Sequence, residues 1–158
     1  MKAGRAACAL VLVALSAGCG SNAGPKAPPG VAQSEFERQL ADAARARPSD
    51  FPAAGARSLQ AIADTTRSGT QIGPATSVLV PGTNRLAFGV LDTDNAFVYG
   101  KSAVYIAPSP GDPARGPYPA PADSLVTKGR YRSRTAASED SAIAAIYAAR
   151  VPFPRPGR

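Results

Sequence analysis

The sequence predicts a mainly β protein, an antiparallel β-sandwich preceded by one or two short helices and a disordered signal and tether. Two observations predict it. From Pro74 onward the apolar period changes from the three-to-four spacing of helices to a spacing of two. Short β-branched runs then recur at near-regular intervals, punctuated by Pro and Gly, which is how antiparallel sheets read in sequence.

Residues 20–33 are rich in Gly, Pro and Ala with almost no large apolar side chain, and read as a flexible tether over 19–33. Ser34 and Glu37 stand at capping-box spacing, so a helix is expected over 35–47 with Phe36, Leu40, Ala43 and Ala44 on its apolar stripe. Pro48 and Pro52 stop it. A second, shorter helix over 58–67 offers Leu59, Ile62 and Ala63 as its face and closes at Ser68 and Gly69. These two make a helical region, 34–69. The β domain is expected over 74–158. Residues 77–80 read as a first strand and 81–84 as a turn. Residues 85–91 alternate, with Leu86, Phe88 and Val90 on one face, and 92–95 form a hairpin turn from which Phe97, Val98 and Tyr99 return. Residues 102–107 place Val104 and Ile106 opposite Ala103, Tyr105 and Ala107. A proline-rich excursion, 108–121, and an extended basic stretch, 128–134, lead to a last strand over 144–153 carrying Ile146, Ala148 and Val151. This gives five or six strands, where an immunoglobulin-type sandwich has about seven in ~100 residues. Pro154, Arg155, Pro156, Gly157 and Arg158 read as a turn from which a return strand should start, so the sandwich is expected to be incomplete at its C-terminus.

The first nineteen residues read as an address. Lys2 and Arg5 supply a positive start, and 6–17 is an apolar stretch too short to cross the roughly 30 Å core of a bilayer as a helix. Leu15, Ser16, Ala17 and Gly18 then run into Cys19. This is a secretory signal over 1–18 whose end resembles a bacterial lipobox, in which the cysteine becomes the acylated first residue of the mature chain. Lipoboxes favour Leu three places before the cysteine; here that place is Ser16, with Leu15 one step earlier. The alternative is a plain secretory signal cut after Ala17 or nearby. The expected location is the extracytoplasmic face of the cell membrane, held by lipid on Cys19.

Composition narrows the chemistry. The chain has no His and no Trp, and its two cysteines are Cys8, inside the signal, and Cys19. A mature chain therefore lacks a Cys-His or Ser-His-Asp system and a C-x-x-C redox pair, and any zinc site would need carboxylates alone. Enzymatic activity, a metal and a cofactor are not expected. The net charge of +7 falls to +5 without Lys2 and Arg5; it suits either a solubilising surface or contact with anionic lipid or wall polymer, whereas nucleic acid fits poorly outside the membrane.

Ser77-Val78-Leu79-Val80-Pro81-Gly82-Thr83-Asn84-Arg85-Leu86-Ala87-Phe88-Gly89 resembles the start of a sandwich domain of actinobacterial thioredoxin-like lipoproteins. Ala103-Val104-Tyr105-Ile106-Ala107, Ala114-Arg115-Gly116-Pro117 and Ile146-Tyr147-Ala148 continue the pattern. The resemblance covers residues 59–158. It implies an immunoglobulin-like front module behind a lipoprotein signal, with a thioredoxin-like domain to follow. That domain and its cysteines are absent from this chain, so no redox residue carries over. What the resemblance implies here is a non-catalytic interaction or positioning module, whose partner is a thioredoxin-like domain or a client protein.

Other signals have local readings. Asp92, Thr93, Asp94 and Asn95 look like the opening of an EF-hand loop, but its sixth and twelfth places hold Phe97 and Ala103, so a turn is expected and no calcium site. Lys128, Arg130, Arg132 and Arg134 alternate with Gly129, Tyr131 and Ser133, which on a strand puts four cations on one face. That face is either an anion-binding stripe or a self-repelling edge that discourages aggregation. The six prolines of 108–121 make either a polyproline ligand or, as favoured, a stiff crossover between sheets.

Overall fold

The computed structural model describes residues 26–66, 68–125 and 143–154. It is mainly β, with two antiparallel sheets and few helices. The elements run α1 (Gln33–Ala43), a 3-10 turn (Pro48–Asp50), α2 (Leu59–Ala63), β1 (Gln71–Pro74), β2 (Gly82–Leu91), β3 (Ala103–Ile106), β4 (Arg115–Pro119), β5 (Ala122–Ser124) and β6 (Ala145–Phe153). Among the described residues one sheet has the order β1-β2-β6-β5, and β3 pairs with β4 in the other.

Helix α1 starts earlier than the capping-box pattern places it. Ala32 is the N-cap and Ser34 lies inside the first turn. The Glu37 carboxylate accepts from the Gln33 side-chain Nε2 at 2.9 Å, while the Gln33 side-chain Oε1 accepts from the Ala27 N–H at 2.9 Å. Glu37 is thereby drawn to Gln33 rather than back to the Ser34 amide. The helix also stops at Ala43, because Pro48 holds the preceding Arg47 extended. Its stripe is as expected for three of four positions: Phe36 and Ala43 are buried and Leu40 packs on the core, but Ala44 is exposed. In α2, the Ser58 side chain caps the Ala61 N–H at 3.1 Å. Thr65 and Thr66 hydroxyls then donate to the Ile62 and Ala63 carbonyls, and the helix ends well before residue 67.

The first strand is not 77–80 but Gln71–Pro74, paired with the end of β2. The ladder runs out at Thr76, whose hydroxyl substitutes for a backbone partner by accepting from the Ala87 N–H at 2.8 Å. Beyond it Asn84 takes both backbone groups of Val80, accepting from its N–H at 3.0 Å and donating to its carbonyl at 2.6 Å. Residues 77–79 are left outside the sheet, and β2 begins at Gly82 instead of Arg85.

The proline-rich excursion is also corrected. It contains β4, which lies beside β3 across a register shift between Val104 and Ile106. Prolines are tolerated there because the outer side of β4 needs no ladder donors. Gly116 serves the same irregularity: its φ is +131°, and a Cβ would come within 2.9 Å of the Val104 carbonyl oxygen. The passage between sheets is short. Ala120 still donates to Ser102 of the hairpin, and Pro121 already accepts from Ala148 on β6.

In β6 the core face is Ala145, Tyr147, Ala149 and Val151. Of the expected Ile146, Ala148 and Val151, only Val151 points inward; strand alternation puts the other two on the opposite face, half-buried. The core gathers this face with Phe88, Leu86 and Val90 of β2, Ala122 of β5, and Leu40 and Ala43 of α1. Val104, Ile106 and Tyr118 of the second sheet pack against it. The two sheets thus share one apolar interior, an arrangement compatible with a β-sandwich. A smaller cluster of Ala54, Ile62 and Ala114, joined by Leu59 and Tyr105, seats α2 beside the β3–β4 hairpin.

Candidate functional site

Cys19, and the set Lys128, Arg130, Arg132 and Arg134, lie outside the described residues. The flanks of the basic stretch are described. Ser124 pairs with Ala145, and the Leu125 N–H donates to the Ala144 carbonyl at 2.9 Å. Leu125 and Ile143, the described residues on either side of the basic stretch, therefore lie side by side at one end of the β5–β6 pair.

The Asp92 turn is built as a turn. The Asp92 carboxylate accepts from the Asp94 and Ala96 amides, each at 2.9 Å, and Asn95 takes a positive φ of 62°. One Asp92 carboxylate oxygen is thus committed to backbone, as the expected Asx turn requires.

Several long-range polar contacts escaped the sequence reading. Lys101 follows Gly100 on the connection into β3, and its ammonium donates to Asp50 at 3.1 Å and lies 3.6 Å from Asp42. It thereby ties the end of α1 and the 3-10 turn to the sheets. The Arg47 N–H and the Lys101 ammonium both stabilise the Asp50 carboxylate and hold its pKa below the usual value. The hydrogen bond to Asp50 in turn raises the pKa of Lys101. With two carboxylates within 4 Å, the Lys101 ammonium braces α1 and the 3-10 turn against the connection into β3.

The second contact is the Tyr147 hydroxyl, which accepts from the Gly100 N–H at 2.8 Å and donates to the Gly100 carbonyl at 2.9 Å. Burial raises the pKa of this phenol, against the opposing effect of the Gly100 hydrogen bond. Its ring stacks on Phe88 with centroids 5.5 Å apart. Nearby, Tyr99 accepts from the Ala144 N–H at 3.0 Å and meets the Phe36 ring edge-on. The third is Tyr105, which donates to the Pro52 carbonyl at 2.6 Å and is likewise raised in pKa by burial. A tyrosine in an alternating apolar run signals a buried phenol seeking a partner, but not which backbone group 47 residues away supplies it.

Among the described residues the consecutive Val78, Leu79 and Val80 are 72%, 45% and 57% exposed, and Ile72, Leu125 and Ile143 are further exposed apolar side chains. Among the described residues no group of three His, Cys, Asp or Glu side chains could hold a metal ion, and no helix is long and apolar enough to cross a membrane. Set against models of known protein families, against curated proteins and against solved structures, the chain finds no match.

Proposed function

We propose that this chain is a lipid-anchored, extracytoplasmic, non-catalytic interaction or positioning module, built on an immunoglobulin-like sandwich and docking a thioredoxin-like domain or a client protein. The observation that carries it is the run from Lys2 and Arg5 through the apolar 6–17 into Leu15, Ser16, Ala17, Gly18 and Cys19. In this reading Cys19 becomes the acylated terminus, and 20–32 tethers α1 to the lipid. The antiparallel pairing and shared interior of the two sheets support the sandwich part of the reading. Two or more acyl chains on one residue hold a protein far more firmly than a single chain, whose binding is marginal at K ~10⁴ M⁻¹. The test is metabolic labelling of bacterial cells with a palmitate analogue. Wild-type chain labels and stays in membranes through high-salt washing, and Cys19→Ala does neither. Equal labelling of the two forms overturns the proposal.

A second reading is a stand-alone envelope lipoprotein that binds anionic wall or membrane components through Lys128, Arg130, Arg132 and Arg134. The observation favouring it is the Leu125–Ala144 hydrogen bond, which makes both flanks of the basic stretch issue from one end of the β5–β6 pair. In that reading retention on wall material falls steeply with salt and is lost on neutralising the four cations.

A further inference from the structure

We infer that Tyr99 couples the docking of α1 to the pairing of Leu125 with Ala144, so that helix and strand-pair end open together. This goes beyond the lipid-anchored reading and does not rest on it. The coupler belongs to the segment 97–101, whose successive residues reach different parts of the fold. The Phe97 ring covers Gly89, and the Val98 N–H donates to the Val90 carbonyl at 3.0 Å, both on β2. Tyr99 touches α1 and the residue that precedes β6. Gly100 is held by the Tyr147 hydroxyl of β6, and Lys101 pairs with Asp42 of α1 and Asp50 of the 3-10 turn. With Val98 and Gly100 pinned on either side, the freedom left at Tyr99 is that of its side chain.

That side chain makes two contacts with different elements. Its ring meets Phe36 edge-on, with centroids 5.7 Å apart and planes at 69°. Its hydroxyl accepts from the Ala144 N–H at 3.0 Å. Ala144 is 2% exposed, and among the described residues no backbone carbonyl takes its N–H. The Ala144 carbonyl in turn accepts from the Leu125 N–H at 2.9 Å, one step beyond the paired Ser124 and Ala145. A buried amide that loses its acceptor is destabilised. When the Tyr99 hydroxyl leaves, Ala144 has to reach water, and the bond to Leu125 is the one that gives way.

Helix α1 has the makings of a separately opening element. Its 11 residues fall short of the roughly 12–15 at which an isolated helix is even marginal in water, and Ala32 gives no side-chain cap. The helix is therefore held by what it packs on: Phe36 at Tyr99, Leu40 and Ala43 on the core, and Asp42 at Lys101. The first and last of these end on the segment 97–101. Undocking of α1 strips the Tyr99 ring of its cover, and the half-buried side chain is free to swing away from Ala144. By linkage the reverse also holds, and a Tyr99 released from Ala144 is a weaker seat for Phe36. Residues 20–32 lead directly into α1, and Leu125 and Ala144 stand on either side of the stretch that contains 128–134. The coupling thus joins the Cys19 end of the chain to the flanks of the basic stretch.

Amide hydrogen exchange on the full chain, read residue by residue by NMR, tests this with two variants that leave the core filled. Phe36→Leu keeps an apolar side chain on α1 but removes the ring edge. Tyr99→Phe keeps the ring and removes the hydroxyl that accepts from Ala144. Exchange at Phe88, in β2, reports the stability of the whole fold. Relative to that reference, Phe36→Leu should quicken exchange at Ala144 and Leu125 at least about fivefold, the lower end of ordinary coupling between sites. Tyr99→Phe should in turn quicken exchange at Leu40, on α1, by about twofold or more. In the double variant Phe36→Leu should add nothing further at Ala144, because the link is already cut. If Phe36→Leu leaves Ala144 and Leu125 unchanged, or quickens them only as much as Phe88, the coupling does not exist. A double variant in which the two effects at Ala144 multiply also overturns it, since the helix then reaches Ala144 by a route other than Tyr99.

Discussion

At Tyr147 a single hydroxyl satisfies both the amide and the carbonyl of Gly100, and its ring covers Phe88 in the middle of the core. Tyr147→Phe keeps the ring and strands both backbone groups in a half-buried position. The expected cost is about 1–3 kcal/mol, read from the urea midpoint at unchanged slope. Gly89 is constrained in another way: a Cβ there would come within 2.7 Å of the Phe97 ring that covers it. Gly89→Ala therefore displaces Phe97 and lowers the melting temperature, while Gly100, whose Cβ would meet nothing within 4 Å, is free of that clash. The ionisable groups set the pH window. Lys101, through its hydrogen bond to Asp50, and Tyr147, through burial, both have folded pKa values raised above the ordinary 10.5 and 10.0. Their contributions are present below those values and are lost as pH rises through the folded ones. Asp50 is lowered from 3.8, so its contribution is present above that value and is lost as pH falls through its folded pKa. A melting-temperature profile should therefore decline on the alkaline side above about pH 10 and on the acid side below about pH 4. Lys101→Met should flatten part of both limbs, because it removes one partner of the brace.

Among the elements, α1 begins on a residue that cannot cap it. Ala32 has the extended φ and ψ of an N-cap, −65° and 138°, and makes no side-chain hydrogen bond. Ala32→Ser should stabilise the domain by about 0.5–2 kcal/mol, measured by thermal or urea unfolding. In β2, Thr76→Val keeps the shape of the side chain but removes the acceptor for the Ala87 amide. It should cost about 1–3 kcal/mol, and amide exchange at Ala87 should quicken more than at Phe88. The elements legible in the sequence are those whose periodicity is one-sided. Phe36, Leu40 and Ala43 declare the inner face of α1, and Leu86, Phe88 and Val90 that of β2. β6 misled because it is apolar on both faces, so alternation alone could not choose Tyr147 over Ile146. β4 was hidden because its prolines are breakers in a central strand and harmless on an edge. Residues 77–80 have strand propensity, yet Thr76 and Asn84 take the bonds that would have formed the ladder.

Across the molecule, two sheets, a helix and a small satellite cluster are held together by contacts that no local pattern reveals. Lys101 reaches Asp50 across 51 positions, and Tyr105 reaches Pro52 across 53. The sequence reading recovered a mainly β body with two antiparallel sheets. It could not locate these braces, since each depends on tertiary placement. The functional residues it singled out, Cys19 and the four cations, belong to segments outside the described residues, while the exposed Val78, Leu79 and Val80 emerged only with the fold. The central proposal is that acyl chains on Cys19 anchor and position this body. Mass spectrometry of the mature N-terminal peptide from bacterial membranes tests it most directly. The account predicts a first residue of Cys19 carrying a diacylglyceryl group, with residues 1–18 gone. A mature chain that starts at another residue, or an unmodified Cys19, would contradict it.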